Sequence, residues 1–228
     1  MAKRIKITEG QIKRLFEAMR PEFRLDALRN MSFANKVKYC TQMLGRPIGR
    51  GSSRLVFQID DETVLKLAMN GKGIAQNEQE LRFKNDYYMG HCFPNIYNGS
   101  DEEKYLWIVS EYVLPAKKED FEKVLNMPFE DVVDFIDAFC LSNSRDQNWR
   151  KCGDVSVKKL YEKYEENSDA TELMNDISEL YYGYNMEIGD YRRIGNYGLV
   201  MREGYPTIVF IDAGLSKEVF SQYYGRRR

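Results

Sequence analysis

A glycine pair, a lysine inside an apolar strand and three oxygen donors near the end of the chain are the residues whose types and spacing could do chemistry. Gly49-Arg50-Gly51-Ser52-Ser53-Arg54 runs into Leu55-Val56-Phe57. Two glycines before a strand let backbone amides approach anionic oxygens where side chains would block them; a plain hairpin turn is the competing account. Arg54 either meets an anion itself or fills the space. Lys66 stands between Leu65 and Leu67, so it projects to the opposite face of its strand from both. There it meets solvent, or it enters a cleft and needs a carboxylate. Glu78 and Glu80 follow on a predicted helix. Glu78-Gln79-Glu80-Leu81 offers Glu-x-x-apolar spacing and favours Glu78, with Glu80 left open. Further on, Asp190 and Asn196 precede one apolar strand and Asp212-Ala213-Gly214 follows the next. A hairpin would bring Asn196 beside Asp212. An amide oxygen and a carboxylate together suit a hard cation such as Mg²⁺, and Asp190 suits a base or orienting group for a hydroxyl. A β-turn is the alternative at Asp212.

The elements that must position these residues are legible as a sequence of periodicities. Thr8-Glu9-Gly10-Gln11 has capping-box spacing, and Ile12, Leu15, Phe16 and Met19 then form one helical face until Pro21. A second helical stretch, Leu25 to about Met43, ends at Gly45-Arg46-Pro47. Residues 55–59 and 63–68 read as a hairpin around Asp60-Asp61-Glu62. The loop Asn70-Gly71-Lys72-Gly73 leads to a helix from about Ile74 to Tyr88, and strands follow near 95–98 and 106–112. Residues 117–186 are mostly helical. Their apolar stripes are Val132, Val133, Ile136 and Phe139, then Leu173, Ile177, Leu180 and Tyr181. A last hairpin pairs 197–201 with 207–211 around Arg202–Pro206. The order is α+β.

Composition narrows the classes. A formal charge of −1 spread over 228 residues argues against a nucleic-acid or membrane partner across the whole molecule, and no apolar run is long enough to cross a bilayer. The start, Met1-Ala2-Lys3-Arg4-Ile5, lacks an apolar signal core. Arg226-Arg227-Arg228 is read as a solvated tail. Cys40, Cys92, Cys140 and Cys152 share no close spacing, which points away from a disulfide framework or zinc site and toward a reducing compartment. The single histidine, His91, is read as a loop or packing residue. With 16 Tyr and 12 Phe, exposed tyrosines such as Tyr181, Tyr182, Tyr184, Tyr223 and Tyr224 are candidates for a protein interface.

In their order, these segments resemble the protein-kinase-like fold, in the compact variants found among aminoglycoside and lipopolysaccharide kinases and bacteriophage-encoded kinase-like proteins. Gly51-Ser52-Ser53-Arg54, Gly73-Ile74-Ala75-Gln76-Asn77-Glu78 and Ile211-Asp212-Ala213-Gly214-Leu215 carry the resemblance, which spans roughly residues 46 to 217. It implies a two-lobed α+β protein: a helical extension over 1–45, a small antiparallel sheet lobe over 46–113 and a reduced helical lobe over 114–228. It implies ATP and Mg²⁺ as cofactors. Gly49, Gly51, Ser52, Ser53, Arg54 and Val56 would cover the nucleotide, with the Glu111 carbonyl and Val113 amide of Ser110-Glu111-Tyr112-Val113 on adenine. Lys66 and Glu78 would form the phosphate-orienting ion pair, Asp190 would be the catalytic acid/base, and Asn196 and Asp212 would hold Mg²⁺. A nucleotide is then the expected ligand, in the cytoplasm of a phage's host or on the virion. The chain departs from the pattern at three places. Arg54 replaces a loop glycine, Gly189 stands where many kinases have histidine, and Asp190 and Asn196 are six apart where the family has five. Only 16 residues follow Asp212, so an acceptor platform is expected from the 117–188 helices or from another chain. Two functions follow: an ATP-dependent phosphotransferase, or a catalytically inactive pseudokinase acting as a structural or interaction protein.

Overall fold

The computed structural model describes residues 22–100, 105–141 and 155–224. The predicted first helix, with its capping box, lies outside them. The fold is α+β and two-lobed, with one hydrophobic core in each lobe.

The smaller lobe begins with a single 3₁₀ turn, Leu25–Leu28, and helix α1, Phe33–Leu44. The continuous helix expected from Leu25 is broken there: Asn30 takes a left-handed φ of 61°, and Ser32 starts a new helix by accepting from the Asn35 amide at 3.4 Å. These elements are not an appendage. Leu28 and Cys40 share a core with Leu55, Phe57, Leu65, Leu67, Trp107 and Val109. That core lies under an antiparallel five-stranded sheet of order β1-β2-β3-β5-β4. Its strands are Gly49–Arg50, Arg54–Gln58, Thr63–Ala68, Ile96–Gly99 (β4) and Trp107–Glu111 (β5).

Helix α2, Gly71–Arg82, crosses the sheet and starts three residues earlier than its apolar pattern suggests. The Asn70 side chain accepts from the amides of Lys72 and Gly73 at 3.1 and 3.3 Å, which satisfies the first turn despite two glycines. Gly73 is required by contact. A Cβ there would sit 2.3 Å from the Ser53 carbonyl oxygen, so only glycine lets the helix approach the β1–β2 turn.

The larger lobe is built from α3 (Lys118–Leu125), α4 (Phe129–Leu141), α5 (Val155–Tyr164) and α6 (Ser168–Tyr182). The two predicted stripes point inward: Val132, Ile136, Phe139, Leu173, Ile177 and Leu180 are all buried. A three-stranded sheet of order β6-β7-β8 lies between this core and the cleft. Its strands are Leu114–Pro115, Tyr197–Arg202 and Tyr205–Phe210. The β7–β8 hairpin turns in two residues, Glu203 and Gly204, with φ of 52° and 89°. Both are left-handed, as a tight twisted hairpin demands. Pro206 falls inside β8 and is tolerated because β8 is an edge strand. The chain closes with α7, Lys217–Tyr223, packed on α2.

Candidate functional site

The β2–β3 register sets Val56 opposite Lys66 and Arg54 opposite Ala68. Arg54 and Lys66 therefore lie on the same face of the sheet, two rungs apart, and both reach toward α2. Glu80 meets them there. Its Oε1 accepts from Arg54 Nη1 at 2.6 Å and its Oε2 from Lys66 Nζ at 2.7 Å, and all three side chains are nearly buried. Lys66 Nζ also donates to the Ile211 carbonyl at 2.9 Å, and Arg54 Nη2 donates to Asp212 Oδ1 at 2.8 Å. Two cations and two anions thus close a single network across both lobes.

This network corrects the expected ion pair. Glu80, not Glu78, holds Lys66. Glu78 lies on the outer side of α2, 45% exposed, and faces Arg82 one turn along at 3.6 Å. The two positions are two residues apart on a helix, about 200° around its axis, so they cannot both face the sheet. The pattern Glu-x-x-apolar does not register that rotation; burial does, since Gln76, Asn77, Gln79 and Glu80 are the polar residues that α2 turns inward.

Arg54 is the residue whose role the sequence left open. Its guanidinium fills the space between Glu80 and Asp212 instead of leaving a glycine-lined opening. Asn77, fully buried, supports it through Oδ1 at 3.3 Å while its own amide donates to the Tyr105 carbonyl at 2.8 Å. Burial disfavours the Arg54 charge, but Glu80 and Asp212 outweigh that cost and raise its pKa further. Burial likewise opposes ionisation of Asp212; Arg54, Lys66 and the Gly214 amide win, and its carboxyl is held below the ordinary range.

The glycine segment is a short hairpin turn folded onto α2. Gly49 pairs with Val56, and the Gly51 amide donates to the Arg54 carbonyl at 3.0 Å. Asn70 Nδ2 donates to the Ser52 carbonyl at 3.1 Å, the Met69 amide donates to the Ser53 carbonyl at 2.7 Å, and the Ser53 hydroxyl donates to Gln76 Oε1. Ser52 and Ser53 are therefore engaged by the α2 end.

At the other end of the network, the Ile211 amide donates to the Asn196 carbonyl at 3.0 Å, which places Asn196 and Asp212 at adjacent strand ends. Asn196 Nδ2 donates to the Asp190 carbonyl at 2.8 Å, so Oδ1 is the atom it has to offer a cation. Asp212 keeps 42% of its side chain exposed, with Arg54 and Gly214 both on Oδ1. Asp190 lies in the 3₁₀ segment Ile188–Arg192, 41% exposed, with Arg193 at 3.7 Å. The neighbouring Tyr191 is buried and its hydroxyl donates to the Asp212 carbonyl at 3.4 Å. An amide oxygen and a carboxylate oxygen are donors of the type Mg²⁺ takes. Asp212 Oδ2 and Asn196 Oδ1 are the donors such an ion would use, with Arg54 sharing the carboxylate.

The end of strand β5 carries a clamp that sequence reading missed. The Glu111 carboxylate receives both Arg202 guanidinium nitrogens, at 2.7 and 2.5 Å, and accepts from the Asn95 amide at 3.0 Å. Val113 packs over Gly198, where a Cβ would fall 2.1 Å from Val113 Cγ1. Behind the Lys66–Glu80 pair, a cavity of about 10 Å³ is lined by Phe83, Phe93, Ser110 and Ala213. That is room for a water molecule at most. Of the tyrosines proposed for an interface, Tyr181, Tyr182 and Tyr184 pack against the larger core, and Tyr184 donates to Asp86 Oδ2 at 2.7 Å.

No protein-family profile matches the chain, and no curated protein does. Solved structures similar to it include a ternary complex of APH(2″)-IIa with streptomycin and ATP, at 15% identity over 92% of this chain and 72% of that one, with a TM-score of 0.32. A gentamicin complex of APH(2″)-IIa matches at 16% identity over 87% and 83%, with a TM-score of 0.33. The ADP-bound aminoglycoside phosphotransferase APH(2″)-Ib matches at 16% identity over 74% and 64%, with a TM-score of 0.31. Similarity at this level carries nothing about activity, and the chemistry of the cleft follows from its own residues.

Proposed function

We propose that this chain binds a nucleotide with Mg²⁺ in the cleft between its lobes, as a kinase-like protein. The observation that carries this reading is the seating of Lys66. An ammonium held by Glu80 at 2.7 Å, with Nζ 2.9 Å from the Ile211 carbonyl, stands one residue from the acid Asp212. A fixed cation beside a carboxylate and an amide oxygen is an arrangement for a polyphosphate and its metal. Lys66 would orient the phosphates. Asn196 and Asp212 would hold Mg²⁺, which would supply charge neutralisation at the phosphates. Asp190, exposed at the cleft edge, would accept a proton from an attacking hydroxyl.

A second reading rests on Arg54. Its guanidinium already neutralises Asp212, so this chain carries its own cation where a kinase recruits a metal. That favours a protein that binds nucleotide weakly or without turnover and uses the fold as an interaction module. Calorimetry and thermal-shift titration with Mg·ATP, alongside a phosphate-release assay, separate the readings. A saturable shift that Lys66→Ala and Asp212→Ala abolish supports the binding reading, and turnover that Asp190→Asn abolishes adds phosphotransfer. Binding without turnover supports the second reading. No shift at millimolar nucleotide sinks the binding reading.

A further inference from the structure

The residue dismissed from sequence as a lone histidine is not alone in space. Asp86 Oδ1 accepts from the amides of Tyr88 and Met89 at 2.9 and 2.8 Å and folds the chain into the turn Gly90–Cys92. That turn lies against α6, whose Asp169, Glu172 and Asp176, spaced three and four residues apart, share one face and line the same cavity. His91 Nε2 lies 3.2 Å from Cys92 Sγ, 3.4 Å from Asp176 Oδ2 and 3.7 Å from Glu172 Oε1. The imidazole, thiol and Asp176 carboxylate ligand atoms are all within 4.8 Å of one another.

We propose that His91, Cys92 and Asp176 bind Zn²⁺. Tetrahedral zinc with Zn–N and Zn–O near 2.1 Å and Zn–S near 2.3 Å sets its nitrogen and oxygen ligands about 3.4 Å apart, and nitrogen and sulfur about 3.6 Å apart. The Nε2–Oδ2 separation of 3.4 Å matches its tetrahedral edge, and the Nε2–Sγ separation of 3.2 Å lies about 0.4 Å inside its own. One nitrogen, one sulfur and one oxygen donor is a set that zinc accepts, and a thiolate with an imidazole discriminates against Mg²⁺ and Ca²⁺. An ion pair between His91 and Asp176 accounts for two of the three groups. It leaves aside Cys92, which is 3% exposed at the edge of the larger core and sets its sulfur against the His91 ring nitrogen.

The fourth position faces a cavity of about 480 Å³, lined also by Lys123, Leu125, Leu173, Tyr205 and Ile208. Three protein ligands with one open position is the composition of a zinc site that takes an exchangeable ligand. Glu172, 64% exposed, stands at its rim. None of Lys66, Glu80 and Asp212 lines this cavity, so the site is spatially separate from the proposed nucleotide site.

The test is a titration of the metal-free full chain with Co²⁺, a spectroscopic substitute for zinc. One equivalent is expected to bind with a thiolate-to-cobalt charge-transfer band in the near ultraviolet and visible bands of a four-coordinate ion, and Zn²⁺ should displace it. Cys92→Ser should remove the charge-transfer band, and His91→Gln and Asp176→Asn should each weaken binding at least about tenfold. Should Cys92→Ser fail to fold, His91→Gln decides, because that side chain is 48% exposed and its replacement spares the core. Absence of the band at stoichiometric Co²⁺, a band that survives Cys92→Ser, or unaltered affinity in His91→Gln each overturns the assignment.

Discussion

Arg54 and Asp212 lie 158 residues apart in sequence and 2.8 Å apart in space, and their ion pair ties the first hairpin of one lobe to the segment that follows the last strand of the other. Removing the guanidinium leaves Asp212 without its paired cation, with only the more distant Lys66 opposite it, while Glu80 keeps Lys66. Arg54→Met should therefore destabilise the fold by about 3 kcal/mol, the lower end for breaking a buried pair, read from the denaturant midpoint. The same substitution frees Asp212 Oδ1 for a cation, so Mg²⁺-dependent nucleotide affinity should rise relative to the parent. Unchanged or weaker affinity in a folded variant would mean that Arg54 contacts the phosphates directly.

Glu80 and Glu78 give a sharp contrast on one helix. Glu80→Gln halves the charge that faces two buried cations and should cost about 3–5 kcal/mol. Glu78→Gln removes half of an exposed pair one turn apart and should stay within about 0.5 kcal/mol of the parent. Equal effects in urea unfolding would contradict the geometry that assigns the Lys66 partner.

The legible parts of this fold were the ones written in short periods. The alternation around Lys66 located β3, and the stripes through Ile136 and Ile177 located α4 and α6, because each stripe reports one buried face. Asn196 and Asp212 were found together because a hairpin pairs residues that flank its strands. What stayed hidden depends on rotation and on distance. Glu78 and Glu80 differ only in which way α2 is turned, and Ser53, Gly73 and Gln76 set that turn by contacts across the sheet. Arg54 could not be assigned from its neighbours because its partners are 26 and 158 residues away. The Glu111–Arg202 clamp and the grouping of His91 with Asp176 are likewise long-range contacts without a local pattern.

Two glycines can be separated by what surrounds them. A Cβ on Gly214 would come 2.5 Å from Gln76 Cβ and 3.0 Å from its Cα, whereas one on Gly195 would meet nothing within 4 Å. Gly214→Ala should cost about 1–3 kcal/mol by forcing α2 from the Asp212 segment, and it should also weaken nucleotide binding. Gly195→Ala should be nearly neutral. Thermal unfolding of the two variants side by side tests whether the close approach of α2 to Asp212 is as tight as drawn.

The Glu111–Arg202 clamp predicts an acid sensitivity whose sign is fixed by its charges. Burial opposes ionisation of Glu111, but the Arg202 guanidinium and the Asn95 amide prevail and hold its carboxyl below the ordinary value, about 4.3. A carboxyl with a lowered native pKa binds its proton more readily in the unfolded chain. The stability it adds is complete above the ordinary value and is lost as pH falls through the native one. With side chains only 17% and 27% exposed, the pair is weakly screened, and Glu111→Gln should cost about 1–2 kcal/mol at pH 7. Once pH has fallen through that lowered native value the carboxyl is protonated in the parent as well, and the two proteins should converge in urea midpoint. A difference that persists unchanged into acid would show that Glu111 acts through packing and not through its charge.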